Sequence, residues 1–258
     1  MNGKKKLAKL KPRKWISVVY LLLRLSVILV MLDQLQNKNY ENVFLCILTL
    51  ILFLVPSFIE KRVHIDIPDT LETIILLFIF SAEILGEINS YYLIFPYWDT
   101  VLHTLNGFLS AAIGFSLIDI LNKNDRFSIT MSPVFVALVA FCFSMTIGVV
   151  WEFFEFGMDQ FVGTDMQKDT FITSIQSILL NSDVHRNVPV RMNIDSVVVN
   201  GTALKGYIDI GLIDTMMDLI VNFIGAVIFS TFGYFYIKHR GKGKFLKRFI
   251  VTEADSSN

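Results

Sequence analysis

The stretch WDTVLHTLNGFLSAAIGFSLIDIL, residues 98–121, is almost continuously apolar after its first few positions. An α-helix rises about 1.5 Å per residue, so about 20 such residues cross roughly 30 Å of hydrocarbon. Residues 98–121 therefore predict one membrane-spanning helix. Its polar residues Asp99, His103 and Asn106 are spaced i, i+4 and i+7, so they share one face near one end of that helix.

Five other stretches have the same length and apolar character. They lie at residues 15–35, 43–59, 71–95, 133–157 and 212–237. The chain of 258 residues is 53% hydrophobic, and its apolar residues are gathered in these runs, whereas soluble domains disperse them. The sequence therefore predicts an all-α polytopic membrane protein built as a six-span helical bundle.

Lys and Arg are distributed unevenly among the connections between these spans. The N-terminal tail, the second and fourth connections and the C-terminal tail together carry 17 of the 23 basic residues. Because basic residues collect on the cytoplasmic side of spans, we expect both termini in the cytoplasm, as an even number of spans requires. The formal net charge is zero, so no global field favours a nucleic-acid partner.

These patterns divide the chain into five predicted parts. They are a basic cytoplasmic tail at 1–14, spans one to five at 15–161, an extracytoplasmic α+β insertion at 162–211, the sixth span at 212–237, and a basic then polar cytoplasmic tail at 238–258. In the insertion, TFITSIQSILL (170–180) places apolar residues on one helical face and predicts a surface helix. Asn200-Gly201 between two β-rich runs predicts a hairpin.

Carboxylate and amide side chains cluster at the same predicted, extracytoplasmic end of four spans. Crowded carboxylates in a bilayer need protons, a cation or an internal base to compensate them. Oxygen-rich sites with one imidazole suit Mg²⁺, Mn²⁺ or Ca²⁺, and Zn²⁺ also fits. The candidate catalytic residues are His103, Asp99, Glu152 and Glu155, and the candidate metal ligands are Asp214, Asp218, Asp99 and His103. The residues expected around them are Glu83, Glu87, Asn106, Asn222, Asp165, Gln167 and Asp169.

Two function classes fit this pattern, and a third interpretation assigns it no chemistry. A metal-assisted hydrolase or transferase would use the outward-facing site on a lipid or lipid-linked envelope substrate, and we favour this class. A cation- or proton-coupled transporter needs a polar path to the cytoplasmic face, toward which only Arg24 and Asp119 are available within the spans. In the third interpretation, a scaffold, the polar groups only pack helices against one another.

Four segments resemble the YjdF-type family of bacterial membrane proteins, and the similarity runs from about Lys61 to Tyr236. They are LGEINSYYLIFPYWDTVLHTLNGFLSAAIGFSLIDIL (85–121), TIGVVWEFFEFGMD (146–159), GTDMQKDT (163–170) and GLIDTMMDLIVNFIGA (211–226). A weaker pattern, Asp99 to His103 and Asp218 to Asn222, resembles VanZ proteins. The resemblance implies a multi-pass protein of the bacterial cytoplasmic membrane and supports the choice of site residues. It implies no reaction.

Overall fold

The computed structural model describes residues 14–123, 131–182, 187–239 and 243–253. Its α-helices are α1 (Lys14–Gln36), α2 (Tyr40–Leu52), α3 (Val55–Val63), α4 (Asp69–Phe80), α5 (Tyr91–Ile94), α6 (Trp98–Lys123), α7 (Pro133–Phe161) and α8 (Leu212–Lys238). Its strands are β1 (Ile65–Asp66), β2 (Phe171–Ile172), β3 (Ser174–Ser177), β4 (Val190–Asn193), β5 (Val197–Val199), β6 (Thr202–Leu204), β7 (Tyr207–Ile208) and β8 (Thr252–Glu253). The described chain is therefore mostly helical.

Among the described residues, five helical segments are long and apolar enough to cross a membrane. They are Trp15–Gln36, Tyr40–Val63, Trp98–Leu121, Pro133–Phe161 and Leu212–Lys238. Each contains most of one predicted span, so five of the six predicted spans are confirmed as candidates by length and composition. The segment Tyr40–Val63 joins α2 and α3.

The third predicted span, residues 71–95, is not one continuous α-helix as predicted. α4 continues at Ser81 into a π-helix, Ser81–Ile88, and the short α5 is separate from it. This segment carries three carboxylates, Glu72, Glu83 and Glu87, whereas each of the other five predicted spans contains at most two Asp, Glu, Lys or Arg residues. It is not among the candidate spans of the described chain. π-helical turns are rare in proteins, and those that occur are often found at functional sites.

The described chain divides into two compact units. One comprises the chain up to Gly148 together with the residues from Val221 onward, and the other is Val149–Ile220. The two boundaries between these units lie inside helices. One is in α7, which runs from Pro133 to Phe161, and the other is in α8, which runs from Leu212 to Lys238.

The first unit contains two apolar clusters. The larger is centred on Phe115, Ala140 and Phe229 of α6, α7 and α8. The smaller is centred on Val27, Cys46 and Leu76 of α1, α2 and α4. Burial of these side chains is the main apolar packing of the unit.

Residues near the C-terminus complete the larger cluster. Leu246, Phe249, Ile250 and Val251 are buried there, and the Val251 backbone N–H donates a hydrogen bond to the Ser116 hydroxyl at 2.9 Å. β8 then pairs antiparallel with β1. Sequence patterning treats residues 238–258 as a tail and misses this docking, because the apolar run FIV is too short to carry a periodic signal.

The second unit contains short antiparallel pairs, and one prediction made for it is wrong. Residues 170–180 do not form a surface helix: β2 pairs with β7, β3 pairs with β4, and only Ile178–Leu180 form a 3₁₀ turn. This stretch is rich in Thr and Ile, and such β-branched residues favour strands when partner strands are available.

The predicted hairpin in the same unit is confirmed. β5 pairs with β6 in the register Val197↔Leu204 and Val199↔Thr202. Asn200 and Gly201 between them have φ of 49° and 84°, as the two central residues of a type I′ turn require.

Candidate functional site

The α6 candidates Asp99 and His103 lie side by side. The His103 Nε2 atom is 3.4 Å from Asp99 Oδ1, and the two residues are one helical turn apart. His103 is only 8% exposed, whereas about a third of the Asp99 side chain is exposed. A carboxylate facing one ring nitrogen orients the imidazole and leaves the other nitrogen as a base or a metal ligand.

The α7 candidates Glu152 and Glu155 are buried although aromatic residues surround them in sequence. Glu152 is 4% exposed, while the adjacent Phe153 is 69% exposed. The Trp151 indole N–H donates a hydrogen bond to Glu155 Oε1 at 3.0 Å. The aromatic side chains therefore take the outer face of α7, and the two carboxylates take the inner face.

On α8, Asp218 and Asn222 are both buried, at 4% and 1% exposure. They are one turn apart and share a helix face. Asp214, one turn before Asp218, is partly exposed.

Asn222 lies where α6, α7 and α8 approach closely. Its Oδ1 accepts a hydrogen bond from Asn106 Nδ2 at 3.1 Å, and the Ser144 hydroxyl of α7 donates to the Gly107 carbonyl of α6 at 2.7 Å. A Cβ atom on Gly148 would lie 2.7 Å from Asn222 Nδ2. Small residues and amide hydrogen bonds of this kind hold helices together in membranes. We call these residues the helix crossing.

Glu83 and Glu87 lie in the π-helix Ser81–Ile88. Glu83 is partly buried and Glu87 is exposed. The Trp98 indole N–H donates to the Ser81 carbonyl at 3.2 Å and so ties the start of this π-helix to the start of α6.

Asp159, at the end of α7, anchors the loop GTDMQKDT. Its carboxylate accepts hydrogen bonds from the backbone N–H groups of Met166 and Gln167 at 2.7 and 2.8 Å, and from the Thr164 hydroxyl at 2.8 Å. The buried Gln167 in turn donates a side-chain hydrogen bond to Thr215 of α8. Gln167 therefore has a structural role in holding this loop.

Two further aspartates fasten the same loop to α8. Asp214 Oδ2 accepts a hydrogen bond from the Lys168 backbone N–H at 2.7 Å. Asp209 accepts from the backbone N–H groups of Thr170 and Ile213 at 2.7 and 2.9 Å. Asp209 was not among the predicted site residues, although an acidic residue just before a helix start is a recognisable signal.

The aspartates of this loop region differ in their electrostatics. Burial by itself would raise the pKa of the Asp209 carboxyl, but the backbone N–H groups of Thr170, Ile213 and Gly211 together hold that pKa below its usual range. Partial desolvation by the surrounding loop, together with the neighbouring carboxylates of Asp165 and Asp209, raises the pKa of Asp169 although its side chain stays exposed. Asp165 and Asp169 are both exposed.

The fold and the buried histidine and carboxylates thus define a helical, multi-pass type of membrane protein. The chain belongs to the family of predicted membrane proteins called DUF2238, whose model matches residues 17–239. The resemblance to YjdF-type proteins is consistent with this membership.

An uncharacterised protein of Thermotoga maritima is 29% identical to the chain over 105 residues. The aligned part is 41% of this chain and 52% of the relative, so the chain spans about half the length of the relative it matches. No solved structure matches the chain.

The helix crossing predicts a sharp difference between two glycines. A Cβ atom on Gly107 would lie 2.1 Å from the Asn222 carbonyl oxygen, whereas nothing lies within 4 Å of one on Gly157. Gly107→Ala should therefore destabilise the protein by about 1–3 kcal/mol through overpacking. Gly157→Ala, the matched control, should be neutral or stabilising by about 0.5–1 kcal/mol, because alanine favours the helix. Thermal unfolding of both variants in detergent measures the difference, and equal melting temperatures would contradict the crossing.

The lowered pKa of Asp209 predicts a pH dependence with a definite sign. The ionised carboxylate stabilises the fold above its unfolded pKa of about 3.9, and the contribution is lost as pH falls through the lower folded value. Asp209→Asn should therefore lower the melting temperature at pH 6 and reduce the loss of stability between pH 6 and pH 3. The control is Asp195→Asn, which changes an exposed carboxylate and should behave as wild type.

Proposed function

We propose that Asp99, His103, Glu152, Glu155 and Asp218 share one divalent cation and form the active site of a membrane-embedded hydrolase or transferase. Its substrate is a lipid or a lipid-linked envelope molecule. The observation that carries the proposal is the burial of one imidazole and three carboxylates, those of Glu152, Glu155 and Asp218, on otherwise apolar helices.

The register of the three helices supports a shared site. Each helix has a reference residue in the helix crossing: Asn106 on α6, Gly148 on α7 and Asn222 on α8. His103 precedes Asn106 by three residues, Asp218 precedes Asn222 by four, and Glu152 follows Gly148 by four. Each is therefore about 4.5–6 Å along its helix from the crossing.

The helix directions also support the proposal. α6 and α8 run the same way, because Asn106 contacts Asn222 and, further along both helices, Phe115 packs on Phe229. α7 follows α6 after a short connection and returns in the opposite direction. The proposal therefore counts backward on α6 and α8 and forward on α7.

Charge supports a cation at that end. Four carboxylates with one histidine carry several negative charges, and burying each alone is costly. One divalent cation offsets several carboxylates together, and carboxylate oxygens with one imidazole suit Mg²⁺, Mn²⁺, Ca²⁺ or Zn²⁺. A bound cation also lowers the pKa of a coordinated water and polarises a phosphoryl or carbonyl oxygen. Since the free ring nitrogen of His103 would bind the cation, the carboxylate of Glu152 or Glu155 would accept the proton of the attacking water or hydroxyl.

The loop contacts refine the earlier choice of ligands. The Asp214 carboxylate already accepts a hydrogen bond from Lys168, so we assign it to holding the loop. We assign Asp165, Gln167 and Asp169 to the same loop. Asn106 and Asn222 fix helix register through the hydrogen bond between them, and Glu83 and Glu87 lie outside the proposed ligand set.

The topology that this function requires is a bundle of six spans with both termini in the cytoplasm of a bacterial cell. The span that this topology adds to the five candidates, the third in chain order, would be the helix Asp69–Ile88, which consists of 12 α-helical residues followed by 8 π-helical residues. The distribution of Lys and Arg supports the orientation. Reporter fusions after residues 38, 97 and 185 should all report the extracytoplasmic side, and a cytoplasmic signal at residue 185 would refute it.

Metal binding is the direct test of the site. The protein, purified in detergent and equilibrated with Mg²⁺, Mn²⁺, Ca²⁺ or Zn²⁺, should retain one divalent ion per chain by elemental analysis. His103→Ala and Asp218→Asn should each weaken binding by at least about tenfold, with helicity by circular dichroism unchanged. Asp195→Asn, in the exposed hairpin region, should bind as wild type.

The chemistry has a separate readout. Loaded protein incubated with bacterial lipid extract should convert one lipid class, detected by mass spectrometry, and His103→Ala should abolish the conversion. If no ion binds, or if both variants bind as Asp195→Asn does, the metal site is refuted. Cation or proton flux into liposomes that His103→Ala abolishes would replace the enzyme with a transporter.

A further inference from the structure

A groove lies between α4 and the first turns of α6. Leu77 and Phe78 form one wall, and Val101, Leu102 and Leu105 form the other. Its cavity volume is about 210 Å³, which is below the range of roughly 300–1,000 Å³ typical of sites for whole small molecules. A depression of this size can hold a segment of an extended hydrocarbon chain, one end of a larger molecule.

The groove is lined almost entirely by hydrocarbon side chains. The exceptions are at one end, where the Trp98 indole N–H is already bonded to the Ser81 carbonyl at 3.2 Å. A polar ligand would lose its hydrogen bonds to water there with little in return. The chemistry of the walls therefore favours an apolar chain.

The groove opens sideways on a helix that is long and apolar enough to span a membrane. Val101 is 58% exposed and Leu77 is 46% exposed, and both lie at the groove. α6 is one of the candidate spans, so its exposed apolar face meets lipid, and the hydrocarbon chains of lipids are the abundant apolar molecules at that depth. α6 begins at Trp98, and tryptophan is enriched at membrane–water interfaces.

The candidate site lies on the same helix, on a neighbouring face. Successive residues of an α-helix are about 100° apart, so Asp99 and His103 are turned by about 100° from the face that carries Val101, Leu102 and Leu105. A lipid whose chain filled the groove would therefore extend its head around the first turns of α6 to reach Asp99 and His103.

We propose that this groove binds one acyl chain of a membrane lipid and presents the head of that lipid to the Asp99–His103 pair. The inference deepens the proposed function and rests on it, since it names the lipid chain as the part of the substrate that the protein recognises. Binding energy from such a remote, unreactive chain positions the reacting group.

Photolabelling tests the groove without depending on metal or turnover. The full protein is reconstituted in phosphatidylethanolamine and phosphatidylglycerol vesicles with a trace of phospholipid bearing a diazirine on one acyl chain, irradiated, and mapped by mass spectrometry. Label should concentrate on Leu77, Val101 and Leu105, about fivefold over the exposed Leu25 and Leu117, a preference of about 1 kcal/mol. Uniform labelling of all exposed apolar residues would overturn the proposal.

A matched pair of variants on α6 sharpens the result. Val101→Trp, at an exposed wall position, should fill the groove and remove the excess label from Leu77 and Leu105. Leu117→Trp, an exposed position on the same helix outside the groove, should leave the pattern unchanged. Unchanged labelling of Leu77 in Val101→Trp would refute the groove as the binding place.

Asp218→Asn separates this inference from the proposed function. It should weaken metal binding by at least about tenfold and leave the labelling pattern intact. Localised label in a wild-type protein that binds no metal would sustain the groove and refute the metal site. Metal binding with evenly spread label would refute the groove alone.

Discussion

The close approach of α6, α7 and α8 around Asn222 is the contact on which the arrangement of polar residues depends. Helices in lipid gain little from apolar burial against one another, so small residues and interhelical hydrogen bonds decide where they cross. Gly107 and Gly225 allow the α6 and α8 backbones to meet, since a Cβ on either would lie about 2 Å from a carbonyl oxygen of the other helix. The amide pair Asn106–Asn222 then fixes which turns face each other.

Six of the described carboxylates fall into two groups by their surroundings. Asp159, Asp209 and Asp214 accept hydrogen bonds from backbone N–H groups of the GTDMQKDT loop or the start of α8. Glu152, Glu155 and Asp218 are buried on long helices. Helical spacing could not separate the groups, because Asp214 and Asp218 are spaced like any pair that shares a face. The backbone N–H that Asp214 accepts belongs to Lys168, 46 residues earlier in the chain.

The helix Asp69–Ile88 connects several features of the first unit. Its π-turn begins at Ser81, whose carbonyl accepts the Trp98 indole hydrogen bond, and its α-helical part forms one wall of the lateral groove. At its other end, β1 leads into it after pairing with β8. The C-terminal segment, the groove and the start of α6 are therefore tied to one helix that is too acidic to resemble an ordinary span.

The sequence by itself determined the long helices and the two-residue turn of one hairpin. Apolar runs of span length marked five helical segments, and Asn200-Gly201 marked a hairpin, because hydrophobic period and left-handed φ are local properties of a few residues. It also singled out His103, Glu152, Glu155 and Asp218, since polar residues in apolar runs stand out in any reading. Only the tertiary structure decided that residues 170–180 are strands and not a helix, that residues 246–251 return to the core, and that Asn106 meets Asn222. Each of these outcomes depends on a partner distant in the chain, and the energy of pairing with that partner outweighs the local preference that sequence patterns express.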